Sequence, residues 1–211
     1  MEASRTINAA VDGSLRLSQW IDAIHPGQIG PGRKNQVAVA LFSIALDHRE
    51  AILCLVRHGA RSSAIALARS VYEAHVRGSW VRFCATESEC EAALRGGHLP
   101  KIETMIRQLD AVPDTEGVFS KFKRLAWGTL SDYAHGGMHQ VRRWIGEEEI
   151  GPQHSDAEVL EVLWFLDVYA LLCCMGIAEM CGLPVVAYAE KVSEVTDAFR
   201  EARAATSQSS A

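Results

Sequence analysis

The segment VAVALFSIALDHREAILCLV, residues 37 to 56, is apolar on every side of a helix except at Asp47, His48, Arg49 and Glu50. A helix that is apolar all round belongs inside a larger helical structure, because only neighbouring helices can cover every face. Helical signals run from end to end of the 211 residues, with none of the period-two alternation or hairpin dipeptides that support a sheet. The expectation is all-α: a single-domain bundle of about six to eight helices, up-down or similar in core, with no internal repeat. It should span residues 1–204 with its core at about 36–182, followed by a disordered tail at 205–211.

Punctuation sets the helices. They are expected at 3–24, 34–58, 60–86, 87–94, 101–109, from 118 onward, at 155–181, and from Pro184 to about Arg203. Gly59 alone separates the second from the third, which predicts an antiparallel pair with a tight turn. Ser155 or Asp156 caps the long helix, and Glu158 stands near the capping-box position for Ser155. Where the helix begun at 118 ends is left open by Gly136 and Gly137, each costing about 1 kcal/mol relative to alanine.

Charge and cysteine usage narrow the function classes. A formal net charge of -5 argues against a surface that blankets a nucleic-acid backbone. Sixteen arginines against five lysines favour forked contacts to carboxylate or phosphate. Six cysteines without CxxC pairs read as reduced core thiols in a cytoplasmic protein. The opening residues are polar, unlike a signal peptide. The longest uncharged apolar run, Val168 to Ala178, is shorter than the roughly 20 residues of a bilayer span. A buried core helix and no membrane partner are expected, although that helix's apolar seam would also serve a homodimer.

Two segments concentrate polar chemistry. In LSDYAHGGMHQVRRW, Ser131, His135, Met138, His139 and Arg142 share one face if the helix is continuous. In ARSSAIALARSVYEAHVRGSW, Arg69, Glu73 and Arg77 stack at four-residue spacing. The plain reading of that stack is an intrahelical ion-pair ladder. The functional reading turns Arg69 and Glu73 toward both the charged turn at 47–50 and the histidine face, enclosing a polar pocket between helices. There Arg69, Arg77, Arg142 or Arg143 holds an anion, Glu73 orients an arginine or acts as base, and His135 transfers protons. Ser131 and Tyr133 are auxiliary donors, and His139 lies beside them. His135 and His139 also have the spacing of two metal ligands on a helix, without the glutamate of a metalloprotease, and neither metal nor cofactor is expected. His25, His58, His98 and His154 are expected at the surface. Trp127, Trp144 and Trp164 read as core.

LARSVYEAHVRGSW followed by LSDYAHGGMHQVRRW resembles a family of uncharacterised bacterial all-helical proteins, a domain of unknown function, over about residues 36 to 182. The resemblance implies Arg69, Glu73, Ser131, Tyr133, His135, Gly137, Arg142 and Arg143 as motif residues and brings no activity. More loosely, RSVYEAH resembles the arginine-histidine motif of HEPN ribonucleases, with Arg69 and His75 as the pair. That resemblance implies a HEPN-like rather than an up-down bundle core and metal-independent RNA cleavage, with the pair brought together at a dimer interface. A six-residue step turns about 240° on a helix, so the two share a face only where the geometry departs from regular.

Three functions follow. One is a binding module for a small anionic ligand or a protein partner in bacterial defence or regulation. The second is a metal-independent nuclease or phosphate-transfer enzyme, with RNA as a candidate substrate. The third is a buried polar network that fixes helix register.

Overall fold

The computed structural model describes residues 4–24, 29–113, 115, 117–124, 130, 133, 134, 136–146 and 150–208, the last five without their side chains. Its described helices are α1 (Arg5–Ile24), α2 (Arg33–Arg57), α3 (Arg61–Phe83), α4 (Glu87–Leu94), α5 (Ile102–Leu109), α6 (Val118–Phe122), α7 (Met138–Arg142), α8 (Asp156–Met180) and α9 (Val186–Gln208). The only bridge among the described residues is the isolated antiparallel pair Ile145 and Ile150. The chain is all-α.

α2 and α3 form the most extensive helix pair, and α8 packs against α1, α2, α3 and α9. The turn between α2 and α3 is as short as the sequence implies. Gly59 takes a positive φ of 76° there, and the Ala60 amide donates back to the Leu55 carbonyl. At the start of α8, Ser155 accepts from the Glu158 amide while the Glu158 carboxylate accepts from the Ser155 amide, a complete capping box. α9 continues to Gln208, beyond the expected fade at Arg203, because nothing in RAATSQ breaks a helix. Positions 209–211 lie outside the described residues.

Three helices meet at Phe42. A Cβ built on Gly78 of α3 would lie 2.7 Å from one edge of its ring, and one built on Gly176 of α8 would lie 2.7 Å from the other. Two glycines thus let α3 and α8 close on an aromatic side chain from α2 that is 1% exposed. α8 itself is long and apolar enough to cross a bilayer, and here it is the central core helix. Leu163, Leu166, Leu171 and Ile177 are buried inside the chain. The apolar seam expected to suit a homodimer is therefore largely used up intramolecularly.

Candidate functional site

The charged turn of α2 does not face α3. Only Arg49 of the four residues is buried, at 1% exposure, while Asp47 and Glu50 are exposed. Arg49 crosses to α8, where Nε and Nη2 donate to Asp167 at 3.1 and 2.6 Å. Its remaining donors reach the Ser14 carbonyl at 2.8 Å, Ser18 Oγ at 2.7 Å and Glu50 at 2.6 Å. All five guanidinium hydrogens are used, which is what a charge buried this deeply requires. Ser14 Oγ donates to the other Asp167 oxygen at 2.8 Å. This cluster ties α1, α2 and α8 together and leaves no donor for a ligand.

Arg69, Glu73 and Arg77 form the ladder along α3 that the plain reading anticipates. Arg69 Nε donates to Glu73 at 2.7 Å, and Arg77 approaches the other carboxylate oxygen at 3.6 Å. In the turn at 47–50 that Arg69 and Glu73 are expected to face, Arg49 is satisfied by Asp167 and α1, and Ser131 and His135 of the histidine face they are also expected to meet lie outside the described residues. His75 points elsewhere again. It sits in the core against Phe42, Phe119 and Tyr169, with Nδ1 buried and without a partner among the described residues, and burial lowers its pKa to about 4. Arg69 and His75 are not brought together within this chain.

The glycine pair does interrupt the helix. Gly136 takes a positive φ of 66°, Gly137 is extended, and α7 begins afresh at Met138. The continuous face from Ser131 through Arg142 is therefore broken, and Ser131, Asp132, His135 and Trp127 lie outside the described residues. After α7 the chain turns back on itself: the Gln153 amide donates to the Arg143 carbonyl at 2.6 Å and the Gly151 amide to Trp144 at 2.8 Å.

This turn hangs on Ser62 of α3. Ser62 Oγ accepts from Trp144 Nε1 at 3.0 Å and lies 3.0 Å from His154 Nε2. His154, expected at the surface, is 5% exposed. Burial, with Arg143 and Arg61 nearby, pushes its pKa below the ordinary value against the opposing pull of Glu158. Arg61 holds the segment from outside, donating to the His154 carbonyl and to Asp156 at 2.6 Å each. Ser62 and His154 have the groups of a nucleophile and its base. Yet both are buried and His154 Nδ1 has no partner among the described residues to orient the ring, so the pair serves as an anchor.

The anchored segment forms one wall of an open cleft of about 740 Å³. Among the described residues, Tyr133, His139 and Arg143 of the segment LSDYAHGGMHQVRRW line it. Ile65 and Ala68 of α3, Phe122, Leu130, Val162 and Phe165 supply the apolar lining. Glu158 and Glu161 of α8 and Arg203 of α9 stand at the charged rim, with Trp164 and Phe199 on the far side. Arg143 is ion-paired with Glu158, and Arg203 with Glu161 at 3.4 Å. Glu158 is pinned further, since its other oxygen completes the α8 capping box. Arg69, Glu73, Arg77 and the exposed Arg142 do not line this cleft. Glu161, Phe199 and Arg203 carry no sequence signal beyond helical periodicity. Trp164, expected in the core, lines the cleft instead, and Trp144 is 41% exposed.

The model of a family of unknown function, DUF6988, matches residues 42–204. No curated protein and no solved structure matches the chain.

Proposed function

The chain belongs to the DUF6988 family of unknown function, and from its cleft we propose that this member is a binding module for a small amphipathic anion. The observation that carries the reading is that Tyr133, His139 and Arg143 converge over an apolar floor, in a cleft whose size lies in the range of small-molecule sites. Arg143 is half exposed and spends only part of its five-donor fork on Glu158, so it can also hold a carboxylate, sulfonate or phosphate. His139 at the rim adds a ring nitrogen as a further hydrogen-bonding group. Glu158 and Glu161 pair with Arg143 and Arg203 at this rim.

The ligand-binding reading is favoured over the nuclease reading because His75, the histidine of the HEPN-like pair, is neutral and enclosed by aromatic rings. The described cysteines are all free, which suits the reducing interior of a bacterial cell.

The test is titration with anilinonaphthalene sulfonate, an aromatic sulfonate whose fluorescence reports an apolar site. Saturable one-to-one binding is expected, weakened about tenfold by Arg143→Ala through loss of a charge-assisted contact and unaffected by Arg77→Ala. Absence of saturable binding, or equal loss in both variants, would overturn it.

A further inference from the structure

The cleft ends at a wall of two stacked rings. Trp164 of α8 and Phe199 of α9 lie with centroids 4.9 Å apart and planes 17° apart. The same two rings also line a second cleft, of about 600 Å³, between α1, α8 and α9. Leu17, Leu160, Leu163, Val195 and Ala198 make that second cleft predominantly aliphatic. Its charges are mostly engaged already: Asp167 with Arg49 and Ser14, and Lys191 with Glu194 at 2.6 Å while lying 5.3 Å from the Trp20 ring centroid.

Two features show that the wall is not packed like permanent core. Trp164 Nε1 is buried with no acceptor among the described residues, a donor withheld from water without compensation. Past Tyr188, α9 contributes no buried side chain up to Arg203, so Phe199 is carried on a helix that rests on the bundle by its edge. Trp164 and Phe199 are the two residues whose side chains line both clefts.

We propose that the two clefts form one binding channel for a long-chain alkyl carboxylate, a fatty-acid-like amphiphile. This rests on the anion-binding reading of the first cleft. The carboxylate sits at the rim with Arg143, His139 and Arg203. The chain runs over Phe122 and Phe165, parts Trp164 from Phe199, and ends among Leu160, Leu163 and Val195. A hydrocarbon chain suits the second cleft because most charged groups there are paired and its lining offers chiefly methyl and methylene contacts. An anionic head suits the first because its rim presents two arginines and a histidine, while Glu158 is fixed by Arg143 and by the cap of α8.

The experiment displaces anilinonaphthalene sulfonate from the whole protein with hexanoate, decanoate, tetradecanoate and octadecanoate, each below its micelle concentration. One continuous channel predicts affinity rising about fourfold per added methylene through tetradecanoate and beyond. Ala198→Trp, which fills the second cleft from a solvent-facing position, then stops the rise at decanoate. If the sulfonate binds but wild-type affinity levels off at decanoate, or if Ala198→Trp leaves the rise intact, the channel is refuted and the single-cleft reading stands. If the sulfonate does not bind at all, the single-cleft reading fails and the channel fails with it.

Discussion

Replacing Gly78 with alanine places a methyl carbon 2.7 Å from the Phe42 ring, well inside ordinary van der Waals contact. The ring has little room to retreat, because its opposite edge faces Gly176, where an added methyl would also come within 2.7 Å. Overpacking of this kind costs about 1–3 kcal/mol. Removing a mid-helix glycine returns about 1 kcal/mol of helix propensity. The expected net is a loss of up to about 2 kcal/mol, or a fall of up to about 8 °C in Tm for a chain of this length. Urea denaturation followed by far-ultraviolet circular dichroism reads it. Gly78→Ala/Gly176→Ala should lose more than the sum of the single changes, because both press on one ring. Phe42→Leu should recover part of the Gly78→Ala loss by shrinking the trapped side chain. Were Gly78→Ala neutral or stabilising, helix propensity would outweigh packing, and the three-helix closure on Phe42 would not be the constraint argued here.

Asp167→Ala leaves the Arg49 guanidinium buried beside a gap and should cost about 3–5 kcal/mol, whereas the double change Arg49→Met/Asp167→Leu should recover most of it; denaturant midpoints of the three variants decide this. His75 titrates near 4 when folded and near its ordinary 6.5 when unfolded, so the unfolded chain takes up the proton first. Its contribution is fully present above pH of about 6.5 and lost as pH falls toward about 4, making the protein about 2 kcal/mol less stable at pH of about 5 than at about 8. His75→Leu should flatten that slope, leaving a residue from His154, whose pKa is lowered in the same sense. Ser62→Ala removes the shared partner of Trp144 and His154 and should cost about 1–3 kcal/mol by thermal denaturation. Arg77→Ala should cost about 1 kcal/mol or less, since it breaks only a long, partly exposed i,i+4 contact to Glu73.

What could be read from the sequence was local. The all-round apolarity of residues 37–56 gave the bundle its central hairpin, Gly59 its turn, and Ser155 with Glu158 the start of α8, because each acts within a few residues of itself. The demand that Arg49 find partners was also legible. Its partner was not: Asp167 lies 118 residues away, and Arg69 and Glu73 were equally charged candidates. Tyr133, His139 and Arg143 stood out as a polar cluster, yet nothing near them pointed to Phe199 or Arg203, which reach the same cleft only because α9 folds back along α8. His154 was misplaced for a similar reason, since a histidine in a loop looks exposed until Ser62 and Trp144 are found on either side of it. Gly136 and Gly137 suit either a break or a close approach, and only the backbone angles settle which.

The most direct measurement is a two-dimensional amide NMR titration of the isotopically labelled protein with anilinonaphthalene sulfonate. The account predicts saturable shifts confined to residues around Tyr133, His139, Arg143, Val162 and Trp164, with Arg69 through Arg77 unmoved. Shifts centred on the Arg69–Arg77 ladder, or no saturable shifts at all, would contradict the placement of the site in this cleft.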